Sequence, residues 1–227
     1  MIAQISGLNQ VLAWTSYLDV YGFKSIVKAT SNISAETPVF DRLKNIHSKL
    51  SSRLNKNTIL FILSDNYFLI NPVSQDPMAA YENCLADVRA LIDLHVKSDL
   101  PLRGGIAFGP VSVGQNTLVG DPVIRAVTYE RLSRVPLVLL PEREIEAANL
   151  SIKPPIFVNH AVTDEHNVAG IISSTFVVPQ NARSFIEYCE NKYRTHRING
   201  PEKVAKDWLD TVRVLATVCG STAATKV

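Results

Sequence analysis

Two aspartates in this chain sit where a carboxylate needs a reason. Asp19 closes an apolar run, AWTSYLDV, and only Val20 and Tyr21 separate it from Gly22. Asp65 stands between two β-rich runs, TILFIL and NYFLI. An unpaired buried charge is costly, so each must be solvated, hydrogen-bonded or metal-bound. If the first run lies beside the second pair, the two carboxylates meet at one end of a sheet. Such a pair repels itself unless a cation intervenes, and hard oxygen ligands suit Mg²⁺ or Mn²⁺. Directly after Asp19, the backbone N–H groups around Gly22, Phe23 and Lys24 open a helix, which is a ready anion site. Metal-binding carboxylates beside a phosphate cradle suggest nucleoside triphosphate chemistry. The plainer readings are that Asp65 is a turn residue and that Asp19 caps the helix after it.

The elements that must position these groups follow from pattern. Residues 13–20 read as a strand, and a short helix runs from about Phe23 to Ala29. A second helix, about 39–54, carries Phe40, Leu43, Ile46, Leu50 and Leu54 on one face. TILFIL and NYFLI, joined by Ser64-Asp65, form a hairpin, although Ser-Asp is not the favoured turn pair. A long amphipathic helix follows at about 78–97. LRGGIAFGPVSVG reads as two strands around Gly109-Pro110. Pro122 suits the first turn of a helix that Gly120-Asp121-Pro122 opens. VPLVLL is a short buried strand, PEREIEAANL a helix, and IFVNHAV and residues 171–178 are two more strands. Helices at about 181–194 and 201–217 complete the pattern. The expected class is α+β, an antiparallel-rich sheet with helices covering one of its faces.

The chain has 227 residues, 46% of them hydrophobic, enough for one sizeable core. The net charge of +2 argues against a nucleic-acid-coating protein, which would carry a basic stripe. Three scattered cysteines, Cys84, Cys189 and Cys219, form neither a disulfide framework nor a CxxC site. No signal-peptide pattern opens the sequence, and no apolar run approaches the ~20 residues of a spanning helix. The expectation is a cytoplasmic protein that engages neither membrane nor nucleic acid.

Four segments carry a family resemblance. YLDVYGF resembles the D-[IV]-x-G-F signature of the class III nucleotidyl cyclases, and SDNYFLI resembles their second metal motif. LRGGIAFGPVSVG is similar to their R-x-G-I-x-x-G-P-V-x-x-G segment, and VGDPVIRAVTYERL to their G-[DN]-x-V-N-x-A-x-R-[LM] helix. The four occur in the family's order across about residues 13–141, with the interval from Asp19 to Asp65 close to the family's. The resemblance implies a ferredoxin-like cyclase fold. It implies that Asp19, Asp65 and the Val20 carbonyl hold two divalent ions, Mn²⁺ or Mg²⁺. It implies that the substrate 3′-hydroxyl attacks the α-phosphorus with loss of pyrophosphate. Phe23 and its neighbours Gly22 and Lys24 would line triphosphate and sugar. The family's sites lie between two chains, which implies a homodimer.

The departures matter as much. Phe61 stands where adenylate cyclases carry a purine-selecting Lys, and Thr117 falls near their second purine reader. Ile124 and Thr128 replace their Asn and transition-state Arg. DPVIRAVTYERLSRVPLVLLP, by contrast, is similar to a run in the bacterial pyrimidine cyclases of the Pycsar anti-phage systems, with Gly120, Pro122, Ala126, Glu130, Pro136, Leu137 and Val138 matching. That resemblance implies a uridylate or cytidylate cyclase whose cyclic UMP or cyclic CMP activates a separate effector protein in antiviral defence. Arg103 or Arg125 would then stabilise negative charge in the transition state; each could equally be a solvated arginine. Phe61 would lie against the substrate. The alternatives are a catalytically silent cyclase-like domain that binds a nucleotide or partner, and a purine cyclase with shifted base readers.

Other motifs carry less. His160, Asp164 and His166 lack the HExxH spacing and read as a polar loop. KYRTHR reads as a solvated basic face. No P-loop, GxSxG or GG[DE]EF stretch is present. The expected organisation is a catalytic domain over 1–150 and a C-terminal extension, 151–227, packed on the same domain.

Overall fold

The computed structural model describes residues 8–30, 38–133, 135–150, 158–163, 169–177, 182–199 and 202–218. Strand β1 (Asn9–Val20) leads through Gly22 into α1 (Phe23–Thr30) and α2 (Pro38–Leu50). The hairpin β2 (Ile59–Leu63) and β3 (Asn66–Pro72) precedes the long helix α3 (Pro77–Lys97). Asp76 caps α3, its carboxylate accepting from the Met78 N–H at 2.8 Å, and Pro77 fits the first turn because it has no N–H to lose. Then come β4 (Leu102–Val113), β5 (Leu118–Val119), α4 (Asp121–Leu132), β6 (Val138–Pro141) and α5 (Glu142–Ala147). The last described elements are β7 (Val158–Thr163), β8 (Ala169–Val177), α6 (Ala182–Asn199) and α7 (Glu202–Val218).

The described strands form one sheet in the order β2-β3-β1-β4-β6-β8-β7, with β5 paired to β4. Only β4 and β6 run parallel; the other pairings are antiparallel. The sheet is therefore antiparallel-rich and covered by helices, as the sequence pattern and the resemblance imply.

Helices cover both faces, not one. Along β1, alternate residues point to opposite sides. Trp14, Leu18 and Val20 enter a large core with Leu91 of α3 and Leu43 and Ile46 of α2. Tyr17 packs on the other side, against a core built from Ala107, Tyr129 of α4, Leu139 and the Phe185, Trp208 and Leu215 side chains of α6 and α7. The last two helices need an apolar surface, and the sheet offers a second one.

LRGGIAFGPVSV is also one strand, not two. It pairs with β1 along its whole length, from Leu102 opposite Val20 to Val113 opposite Asn9. Pro110 faces Leu12, whose carbonyl is already used by the Val73 N–H at 2.8 Å on the other side of β1. A residue's N–H and C=O share one side of a strand, so this is a non-hydrogen-bonded pair. Proline's missing donor costs the ladder nothing there.

Candidate active site

Register places the two aspartates together. Asp19, next to last in β1, faces Asn66 of β3 on one side and Arg103 of β4 on the other. Asp65 directly precedes Asn66 in the two-residue hairpin turn, where Ser64 takes a left-handed conformation at φ 60°. The Tyr17 hydroxyl donates to Asn66 Oδ1 at 3.0 Å and steadies the strand beside the turn. Burial pushes the Asp19 carboxyl up to about 6, and nearby Glu130 and Asp65 push in the same direction; Arg103 opposes them. Protonated, Asp19 can share a hydrogen bond with Asp65. Two carboxylates this close repel each other when both are ionised.

A cleft of about 540 Å³ opens over this pair. Val20 lines it although its side chain is core and only 1% exposed, so what it presents is main chain. Gly22, Phe23 and Lys24 form the opposite wall at the start of α1. Gly22 adopts φ 76°, open to glycine at no steric cost, and its carbonyl accepts from Ser25 and Ile26 to begin the helix. Phe23 packs back onto the α2–α3 core, while Lys24 and Lys28 stay exposed along the cleft.

Arg103 also lines the cleft, with Nη2 3.4 Å from Asp19 Oδ2. Its Nε also forms an ion pair with Glu130 of α4, a residue 4% exposed. Glu130 is the site component that sequence reasoning treats only as a motif match. Its signal was present, a glutamate one turn after buried Ala126 on the helix face that meets the sheet.

Arg125 is placed elsewhere. It pairs with Asp121 and with Glu144 Oε1 at 3.1 Å, and donates to the Phe108 carbonyl. Phe108 is five residues along β4 from Arg103, roughly 17 Å at strand spacing. Within this chain Arg125 belongs to the network that fixes α4 to α5, where buried Glu144 also accepts from the Phe108 N–H and the Tyr129 hydroxyl. Phe61 does not line the cleft. It sits on the same sheet face as Asp19, paired with Phe68 and packed toward Ala13, Ile70 and Val111. Ile124 is 67% exposed, the Thr128 hydroxyl bonds back to the Ile124 carbonyl, and Thr117 lies in the turn before β5. Asp164 and His166 lie outside the described residues. Within KYRTHR, Lys192 pairs with Asp99 and Arg194 with Glu190. Among the described residues no three His, Cys, Asp or Glu side chains converge as a metal cluster, so the candidate donor set is two carboxylates plus main chain.

No family model matches the chain, and no curated protein matches its sequence. Solved structures do match its fold. The guanylyl cyclase Cya2 superposes with a TM-score of 0.54 at 17% identity, covering 76% of this chain and 94% of that one. The adenylyl cyclase CyaB from Pseudomonas aeruginosa gives 0.53 at 16% identity, covering 74% and 95%. The fold is that of the class III cyclases. A class III adenylyl cyclase-like ATP-binding protein from the same organism also matches, with a TM-score of 0.52 at 14% identity, over 63% of this chain and 36% of that one.

Proposed function

We propose that this chain is a nucleotidyl cyclase acting on a pyrimidine nucleoside triphosphate, converting UTP or CTP to the 3′,5′-cyclic monophosphate and pyrophosphate. The observation that carries the reading is the convergence of Asp19 and Asp65 under a cleft whose far wall is α1, with Lys24 in its first turn and Lys28 in its last, on a class III cyclase fold. The donor set fits divalent cations, because burial, and after it the Glu130 and Asp65 charges, disfavours the Asp19 carboxylate, and a cation bound between the two aspartates would offset that cost. Asp19, Asp65 and the Val20 carbonyl would hold two Mg²⁺ or Mn²⁺ ions, which when bound neutralise phosphate charge and lower the pKa of the attacking 3′-hydroxyl. The α1 N–H groups and Lys24 receive the phosphates. Phe23 closes the wall beside the sugar. Arg103 is the arginine within reach of the developing charge.

Pyrimidine choice rests on Phe61, Thr117, Ile124 and Thr128 standing where purine cyclases carry their base readers and catalytic pair, and on the likeness of 121–141 to the pyrimidine cyclases. The same likeness supports a second messenger in anti-phage defence that acts on a separate effector. The family resemblance supports a homodimer with the site between two chains. A silent nucleotide-binding domain is the second reading, favoured by those replaced residues and by the pairing of Arg103 with Asp19. Asp19→Ala and Asp65→Ala separate the two. Each is expected to lower product formation by roughly 100-fold or more while leaving the circular dichroism spectrum unchanged. Turnover that persists in Asp65→Ala with ordinary metal dependence would contradict the metal assignment.

A further inference from the structure

Glu130 lies on the side of α4 that meets the sheet, 4% exposed, and its one close cationic partner described in the structure is Arg103 Nε. The contact is an ion pair without hydrogen-bond alignment. The other end of the same guanidinium hangs over Asp19 at 3.4 Å. Arg103 is thus shared between two carboxylates, paired with Glu130 at Nε and making a long hydrogen bond to Asp19 at Nη2. Its side chain is 30% exposed and lines the cleft. Helix α4 reaches this depth because Gly105, opposite Tyr17, has no Cβ to meet Tyr129 and the Ala126 carbonyl. A charge buried on α4 is therefore delivered beside Asp19 by backbone packing, and a lone buried glutamate there would be costly without Arg103.

We propose that Glu130 is a positioning residue: by anchoring Arg103 at Nε it restrains the guanidinium from closing fully onto Asp19, so that Arg103 serves as a displaceable counter-cation and leaves the Asp19–Asp65 pair open to divalent ions. This deepens the metal reading above and rests on it. Without the anchor, Arg103 would move onto Asp19 as a full ion pair and compete with the metal. Without Arg103, the carboxylates would be left uncompensated and would hold a cation more tightly.

The test is Mn²⁺ binding without nucleotide, followed by electron paramagnetic resonance on the full chain. The wild type is compared with Asp65→Ala, Glu130→Gln, Arg103→Gln and the double variant. The expected result is Mn²⁺ binding that depends on Asp65. Glu130→Gln weakens it about 3- to 10-fold and Arg103→Gln strengthens it by a similar factor. The double variant binds at least as tightly as wild type, because the glutamate acts through the arginine. A purely structural glutamate would lower the melting temperature without this sign reversal. Equal losses from Glu130→Gln with and without Arg103, or no loss at all, would overturn the positioning role while leaving the metal site standing. Absence of any Asp65-dependent binding in the wild type would overturn the metal reading and this inference with it.

Discussion

Asp19 owes its character to its neighbours. Its proton is held up to about 6 by burial and by Glu130 and Asp65, against an ordinary 3.8. Two consequences follow. Mn²⁺ competes with that proton, so metal-dependent turnover is expected to rise through about pH 6. The metal-free native state also binds the proton more tightly than the unfolded chain does, so this group's contribution to stability falls as pH climbs from about 4 to about 6. His95, lowered to about 4 by burial, acts in the opposite direction over the same range. The comparison that isolates Asp19 is therefore wild type against Asp19→Asn. The melting-temperature advantage of Asp19→Asn should grow across that interval and shrink when Mn²⁺ is added above pH 6. An advantage independent of pH would contradict the assignment. At this scale the two aspartates were legible, since a charge at a strand end and one in a hairpin turn stand out against apolar flanks. Arg103 and Arg125 were not separable. Five positions on α4 put Arg125 and Glu130 about 140° apart around the helix, so the two cannot face one sheet end together. Only the register shows that Glu130 meets Arg103.

Elements hold these residues in place through a few close approaches. The tightest is α4 on β4, where a Cβ on Gly105 would overlap Tyr129 and the Ala126 carbonyl. Gly105→Ala is expected to destabilise the fold by about 1–3 kcal/mol by lifting α4 from the strand. It should also loosen the Glu130–Arg103 pair, so Mn²⁺ affinity should fall together with the denaturation midpoint. A neutral Gly105→Ala in both measurements would contradict this packing. Helix and hairpin positions were readable because periodicity and turn chemistry are local. The unbroken β4 was not. Gly109-Pro110 carries a turn signal, and its accommodation depends on Leu12 using its carbonyl toward Val73. That fact belongs to a neighbouring strand.

Across the whole molecule, the segment after residue 150 completes a core. Phe185, Ile186, Cys189, Trp208, Val212 and Leu215 pack with Ala107, Ala126, Tyr129 and Leu139, and the Tyr21 hydroxyl donates to Asp207 at 2.8 Å. Burying six such side chains is worth roughly 10 kcal/mol as an upper estimate, comparable to the ~5–15 kcal/mol stability of an ordinary domain. Residues 1–150 alone are therefore expected to aggregate or to lack a cooperative unfolding transition. A soluble fragment with a sharp transition would mark 150 as a true domain boundary. The sequence announced α6 and α7 by periodicity, but it did not say which sheet face they cover, because both faces of the central strands are apolar. Tyr21, which follows directly on Asp19 and Val20, also packs its ring edge against Trp208 of α7. The chain around the site is thus tied to both halves of the molecule. No described helix is long and apolar enough to cross a membrane. The most direct measurement incubates the purified full chain with Mn²⁺ and, separately, ATP, GTP, CTP and UTP, with Asp65→Ala as the blank and products identified by mass spectrometry. The account predicts cyclic UMP or cyclic CMP from the wild type alone. Cyclic AMP or cyclic GMP as the main product would contradict the pyrimidine assignment, and no cyclic product from any triphosphate would contradict the enzyme itself.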